Sequence, residues 1–221
     1  MNKLTLTNAI IDNIEGGYYH PDMKAYLRNG DRLGDSGETM FGIDRRAGAP
    51  QFTTKTADAV AFWNLVDDYY GSHHADTAYY GDKADGRRVP ANVGIQLRHY
   101  VAEMIEDAYD DWNDYLSDGA KRIVENDPRL MLQFWYAVWN GPGNFQKFAN
   151  LVNAAYSNGE RSALAFWNLL QDARRAKGGL FAEGADKLAA IAAGLPSTSS
   201  NWLLWLLGGG LAALLIYKIS K

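Results

Sequence analysis

The second half of this chain leaves little freedom in what it can become. From Val93 to Gly194, apolar residues recur at helical spacing in one segment after another. The pattern predicts helices over Val93–Leu116, Pro128–Trp139, Asn144–Tyr156 and Arg161–Ala176, and a short one in "ADKLAAIAAG", stopped by Gly194. Ahead of them, Leu6, Ile10 and Ile14 recur every fourth residue with Ile11 alongside, which predicts a helix over Leu4–Glu15. Asp58–Tyr70 reads the same way. Only "GDSGETMFGIDR" has the look of strand and turn. The expected class is therefore α+β, predominantly α-helical, with a small β-hairpin. "AFWNL" occurs at Ala61–Leu65 and Ala165–Leu169, but its flanks differ and no period follows, so it is not a structural repeat.

At 221 residues there is room for one compact domain and an appendage. The net charge is −4, and without Lys218 and Lys221 the remainder carries 20 basic against 26 acidic residues. An acidic body lacks the basic face that nucleic-acid binding needs. There is no cysteine, which removes disulfides and thiolate chemistry. The N-terminus, "MNKLTLTNAIIDNIEGG", has no small-residue cleavage site and does not read as a signal peptide.

The C-terminus carries the appendage. Trp202–Tyr217 is an uncharged run, roughly 24 Å long as a helix against a hydrocarbon core of about 30 Å. Trp202, Trp205 and Tyr217 are placed like interfacial aromatics, and Lys218 and Lys221 can snorkel. Residues 202–217 are thus expected to form one C-terminal transmembrane helix, with 194–201 as linker and 1–193 as the globular domain. A buried soluble helix is the alternative, disfavoured by a run apolar on every side and by Gly208–Gly210.

Glu15 stands at a sharp boundary. Gly16 and Gly17 supply the backbone freedom of a helix C-terminus. A carboxylate in the last turn meets the negative end of the helix dipole, and burial beside Ile11 and Ile14 would disfavour its charge further. A carboxyl kept protonated near neutral pH suits general-acid cleavage of a glycoside. An ordinary solvated glutamate is the commoner meaning of such a position. Tyr18 and Tyr19 follow and could stack on sugar faces.

"EGGYY" followed by "DSGETMFGID" resembles glycoside hydrolase family 108, the N-acetylmuramidases of phages and bacteria. Glu15, Gly16, Gly17 and Tyr18 match the first block, and Asp35, Gly37, Thr39, Gly42 and Ile43 the second. Thr54–Tyr70 is similar to the helix that follows in that family, and "YAVWNGPGNFQKF" resembles a lytic-transglycosylase motif through Asn140, Gly141, Pro142 and Gly143. The resemblance covers roughly residues 5–75 and, more loosely, 136–148. It implies a lysozyme-like fold and cleavage of peptidoglycan between N-acetylmuramic acid and N-acetylglucosamine. Glu15 would be the acid, Asp35 the helper carboxylate, and Thr39 the holder of water or carboxylate. Tyr18, Phe41, Tyr136 and Asn140 would bind sugar. One residue fewer than the family pattern separates Asp35 from Thr39, so Asp31, Glu38 and Asp44 are rivals for the second carboxylate.

Other clusters read as ordinary surface or core. Adjacent His73 and His74, with Asp76, rarely ligate one ion, so no metal or cofactor is expected. Asp107, Asp110, Asp111 and Asp114 fit a solvated helix face, because no EF-hand glycine and glutamate follow them. Phe134, Trp135, Tyr136 and Trp139 are mostly core, with Tyr136 at the edge. The expected partners are glycan strands and a lipid bilayer, with no nucleic acid. The expected place is a phage virion's internal membrane, with the host inner membrane as alternative. Lytic transglycosylation, which forms 1,6-anhydro ends, and a non-catalytic wall-binding or scaffold role are the competing functions.

Overall fold

The computed structural model describes residues 2–15, 18–19, 39–44, 57–70 and 91–195. These are predominantly helical. Eight α-helices follow in chain order: α1 Lys3–Asn13, α2 Ala57–Tyr70, α3 Ala91–Trp112, α4 Asp118–Asn126, α5 Pro128–Trp139, α6 Pro142–Ser157, α7 Ala163–Lys177 and α8 Gly179–Ala193. Strand is confined to two-residue segments, β1 Tyr18–Tyr19, β2 Thr39–Met40 and β3 Ile43–Asp44, paired antiparallel in the order β1-β2-β3. Tyr18 faces Met40 in the first pair, and Thr39 faces Asp44 in the second. Residues 202–217 lie outside the described residues. Among the described residues no helix is long and apolar enough to cross a membrane.

The chain divides into two compact units, Met1–Leu116 with Phe134–Leu151, and Ser117–Gln133 with the residues from Val152 onward. In the first, α1 starts because the Asn2 side chain accepts a hydrogen bond from the Leu4 N–H (2.9 Å), satisfying one of the orphan donors of a helix start. Leu6, Thr7, Ile10 and Ile11 form its buried stripe. On α3, Leu97, Val101 and Ile105 recur every fourth residue, all fully buried, and α3 packs against both α1 and α2. Phe145 gathers the aromatic core edge-on, with ring centroids 5.2 Å from Phe134, 5.8 Å from Tyr109 and 5.9 Å from Trp112.

In the second unit, α7 begins at Ser162, whose hydroxyl accepts from the Ala165 N–H, and ends in Arg174, Arg175 and Lys177, which suit the negative helix end. Gly178 (φ 72°) turns the chain into α8, and α7 and α8 pack together. The guanidinium of Arg174, 1% exposed, donates from Nε to Gln133 Oε1 (2.8 Å) and from Nη2 to the Gln133 carbonyl (3.1 Å). A Cβ on Gly119 of α4 would lie 2.0 Å from the Tyr156 hydroxyl, so any side chain there must move the phenol.

Candidate active site

Glu15 lies just past the end of α1. The Ile14 and Glu15 N–H groups both donate to the Ile10 carbonyl (2.8 and 3.1 Å), so the helix widens as it closes and carries Glu15 off its axis. Its carboxyl comes to rest on the turn between β2 and β3. A Cβ built on Gly42 would stand 2.2 Å from Glu15 Oε2 and 2.8 Å from Cδ. A side chain at this position would displace the carboxyl, and the φ of 71° disfavours one as well, so glycine is what leaves the carboxyl at this place.

The turn has two reasons to need its residues. Pairing Met40 with Ile43 leaves Phe41 and Gly42 as the two connecting residues, with φ of 54° and 71°. Positive φ at both positions gives a two-residue connection the twist its strands require. Gly42 adopts it freely, whereas Phe41 incurs about 1–2 kcal/mol. Burial of the Phe41 ring, 1% exposed, contributes about 1.5–3 kcal/mol, and a buried hydrogen bond to its carbonyl adds about 1. The donor is Trp139 Nε1, at 2.9 Å. Packing therefore outweighs the strain.

Arg98 of α3 covers the same turn. Its guanidinium lies 5.4 Å from the Phe41 ring centroid, within cation–π range. It also donates from Nη1 to Asn8 Oδ1 (3.1 Å) and from Nη2 to Asp12 Oδ1 (2.6 Å), both on α1. Trp135, one turn before Trp139, donates from Nε1 to Thr7 Oγ1 (3.0 Å). Thus α1 is tied to α3 and α5, and the turn to α3 and α5, by these contacts.

The Trp139 bond brings the end of α5, next to Asn140, to the turn on which Glu15 rests. Asn140 Nδ2 donates to the Tyr136 carbonyl (2.7 Å), and the Asn144 amide donates to the Asn140 carbonyl (2.6 Å). Gly141 (φ 89°) stops α5 and Pro142 opens α6, so "NGPG" is first a joint between two helices. Two expectations change. Phe41 was expected to bind sugar, but its ring is 1% exposed and covered by Arg98, which makes it core. Tyr136, at 7%, offers no open face for stacking. Tyr18 and Thr39 enter the ladder by their backbones. Asp35, Gly16, Gly17, Asp31, Glu38, His73, His74 and Asp76 lie outside the described residues. Among the described residues no group of three or more His, Asp or Glu could hold a metal ion. Gly42, Arg98 and Trp139 are the neighbours that periodicity misses. Trp139 read as core, and nothing in local spacing says where an indole N–H points.

Other polar features are less suited to chemistry. The groove of about 550 Å³ beside Phe166 and Leu169 has one carboxyl, Glu160, which accepts from the Arg161 and Ser162 N–H groups. On α3, burial raises the Asp107 carboxyl above its ordinary value, and Asp58, Glu103, Asp110 and Asp111 push it the same way. That is a crowded acidic face. No family model, no curated protein and no solved structure matches this chain.

Proposed function

We propose that this protein cleaves the glycan strands of bacterial peptidoglycan, with Glu15 as the acid, on a domain of the lysozyme-like kind. The observation that carries the reading is the seat of the Glu15 carboxyl against Gly42, on a turn whose backbone is strained and clamped. Strain of this sort collects at functional sites. The "EGGYY" and "DSGETMFGID" blocks agree with it, since they supply the two halves of that contact. In the reaction, Glu15 protonates the glycosidic oxygen as the bond to C1 of N-acetylmuramic acid breaks. N-acetylglucosamine leaves as the alcohol. Asp35 stabilises the oxocarbenium ion or orients water with Thr39, and Tyr18 and Asn140 hold sugar. Water then adds at C1 and its proton returns to Glu15. The run Trp202–Tyr217 tethers the enzyme to a bilayer, that of a virion in the first instance, so that murein is opened locally.

Lytic transglycosylation is the second reading, favoured by the joint at Asn140–Gly143 directly behind Trp139. There the muramic 6-hydroxyl attacks in place of water. The test uses the full chain in detergent on purified peptidoglycan. Glu15→Gln should lower cleavage by about 10²–10⁴-fold, the usual worth of a general acid, with the melting temperature nearly unchanged. Mass analysis of the products separates the chemistries, a reducing end meaning hydrolysis and a 1,6-anhydro end meaning transglycosylation. Undiminished cleavage by the Gln variant would sink both, and no cleavage by the parent would leave a wall-binding or scaffold protein.

A further inference from the structure

Phe41 is the one non-glycine residue with positive φ among the described residues, and its carbonyl is the acceptor of a buried indole N–H. A peptide unit is a rigid plane holding Cα and carbonyl of one residue with N and Cα of the next. Whatever fixes the Phe41 oxygen therefore fixes the Gly42 Cα. The Glu15 carboxyl rests on that Cα, 2.2 Å from where a Cβ would project. Trp139 thus acts on the seat of Glu15 through two rigid steps, without touching the carboxyl itself.

We propose that Trp139 is a positioning residue for the reaction assigned to Glu15, its indole N–H holding the 41–42 peptide plane. The inference rests on the glycosidase reading. A merely structural Trp139 would contribute ring volume and a hydrogen bond of no special address. The molecule carries its own control. Trp135 lies one turn earlier on α5, is likewise buried, and donates its indole N–H at 3.0 Å to Thr7, on α1 rather than on the turn. Both tryptophans make one buried indole bond within the same unit, and only one of those bonds ends on the plane beside Glu15.

The experiment compares Trp139→Phe with Trp135→Phe in the full chain in detergent, by steady-state kinetics on soluble uncrosslinked glycan strands. Trp139→Phe should lower kcat at least tenfold with KM within threefold. Trp135→Phe should lose a similar amount of stability and keep kcat within twofold. Equal effects on kcat, or a Trp139→Phe kcat within twofold of the parent, overturn the proposal. Failure of the underlying reading looks different, as an inactive parent or an active Glu15→Gln. If Trp139→Phe does not fold, indole ¹⁵N–¹H spectra replace it. The Trp139 signal should be protected from exchange in the parent and should shift on Gly42→Ala more than that of Trp135. An unprotected or unmoved signal overturns the proposal as well.

Discussion

Among the carboxyl groups that stand at helix ends in this protein, Asp127 and Glu15 occupy opposite ends. Asp127 precedes α5, where backbone N–H groups point outward. Its Oδ1 accepts from the N–H groups of Arg129 (2.8 Å) and Leu130 (3.3 Å), and its Oδ2 from Arg129 Nη2 (2.7 Å). Burial pushes this carboxyl up, but the side-chain and backbone hydrogen bonds from Arg129 outweigh it and hold it below its ordinary value of 3.8. Glu15 follows α1, where carbonyls face out and a negative charge is opposed. Its carboxyl rests against the Cα of Gly42, at the opposite kind of helix end. One group is fixed as an anion that starts a helix. The other is set where acid chemistry is possible. The helix end and the immediate neighbour, more than the residue type, decide which role a carboxyl takes.

The contrast breaks first at Gly42. Gly42→Ala puts a methyl into the carboxyl and forces a residue with a Cβ to φ 71°. Displacing a catalytic group by about 1 Å costs on the order of 100-fold in rate. Activity on peptidoglycan should fall by about that factor, with about 1–3 kcal/mol of stability lost in denaturant melts. Full activity in this variant would detach Glu15 from the turn. Asp127→Ala should do the reverse, losing about 1–2 kcal/mol while activity per folded molecule is kept. Its pH dependence has a definite sign. The folded carboxyl titrates below 3.8, so its stabilisation is whole above that value and fades as pH falls through the lower, folded one. Parent and variant melts should therefore converge in acid, and a gap that widens there would contradict the assignment. The smallest effect belongs to Gly119→Ala. The gain in helix propensity, about 1 kcal/mol, opposes displacement of the Tyr156 phenol, so stability should move by less than about 1 kcal/mol and activity not at all.

How far the sequence carried depends on the range of the interactions. Pro128–Trp139 is a helix over the expected residues, because its signals are local: a proline at the first position and an apolar run to Gly141. The α1 helix begins one residue early, at Lys3, because Asn2 caps it. Local pattern misses one helix and shortens another. Asp118–Asn126 buries only Ala120 and Val124, too thin a stripe to stand out. The last helix starts at Gly179, six residues before "ADKLAAIAAG", since Gly178, Gly179 and Gly184 look like breakers and only packing overrules them. At the candidate site, the place of Glu15 at the end of a helix was legible in the apolar spacing before it. Its contact with Gly42, the inward turn of Phe41 and the bonds from Trp139 and Arg98 were not, because they join residues far apart in the chain.

That distance has a consequence in time. The bond from Trp139 to Phe41 closes a separation of 98 residues, that from Trp135 to Thr7 one of 128, and that from Arg98 to Asn8 one of 90. Synthesis delivers the N-terminus first, at about 5–20 residues per second. Glu15 and its turn leave the ribosome with none of these supports available; Arg98 comes next, and the strained Phe41–Gly42 pair lacks its indole hydrogen bond until the end of α5 emerges. For the several seconds in between, the growing chain carries its carboxyl without its seat.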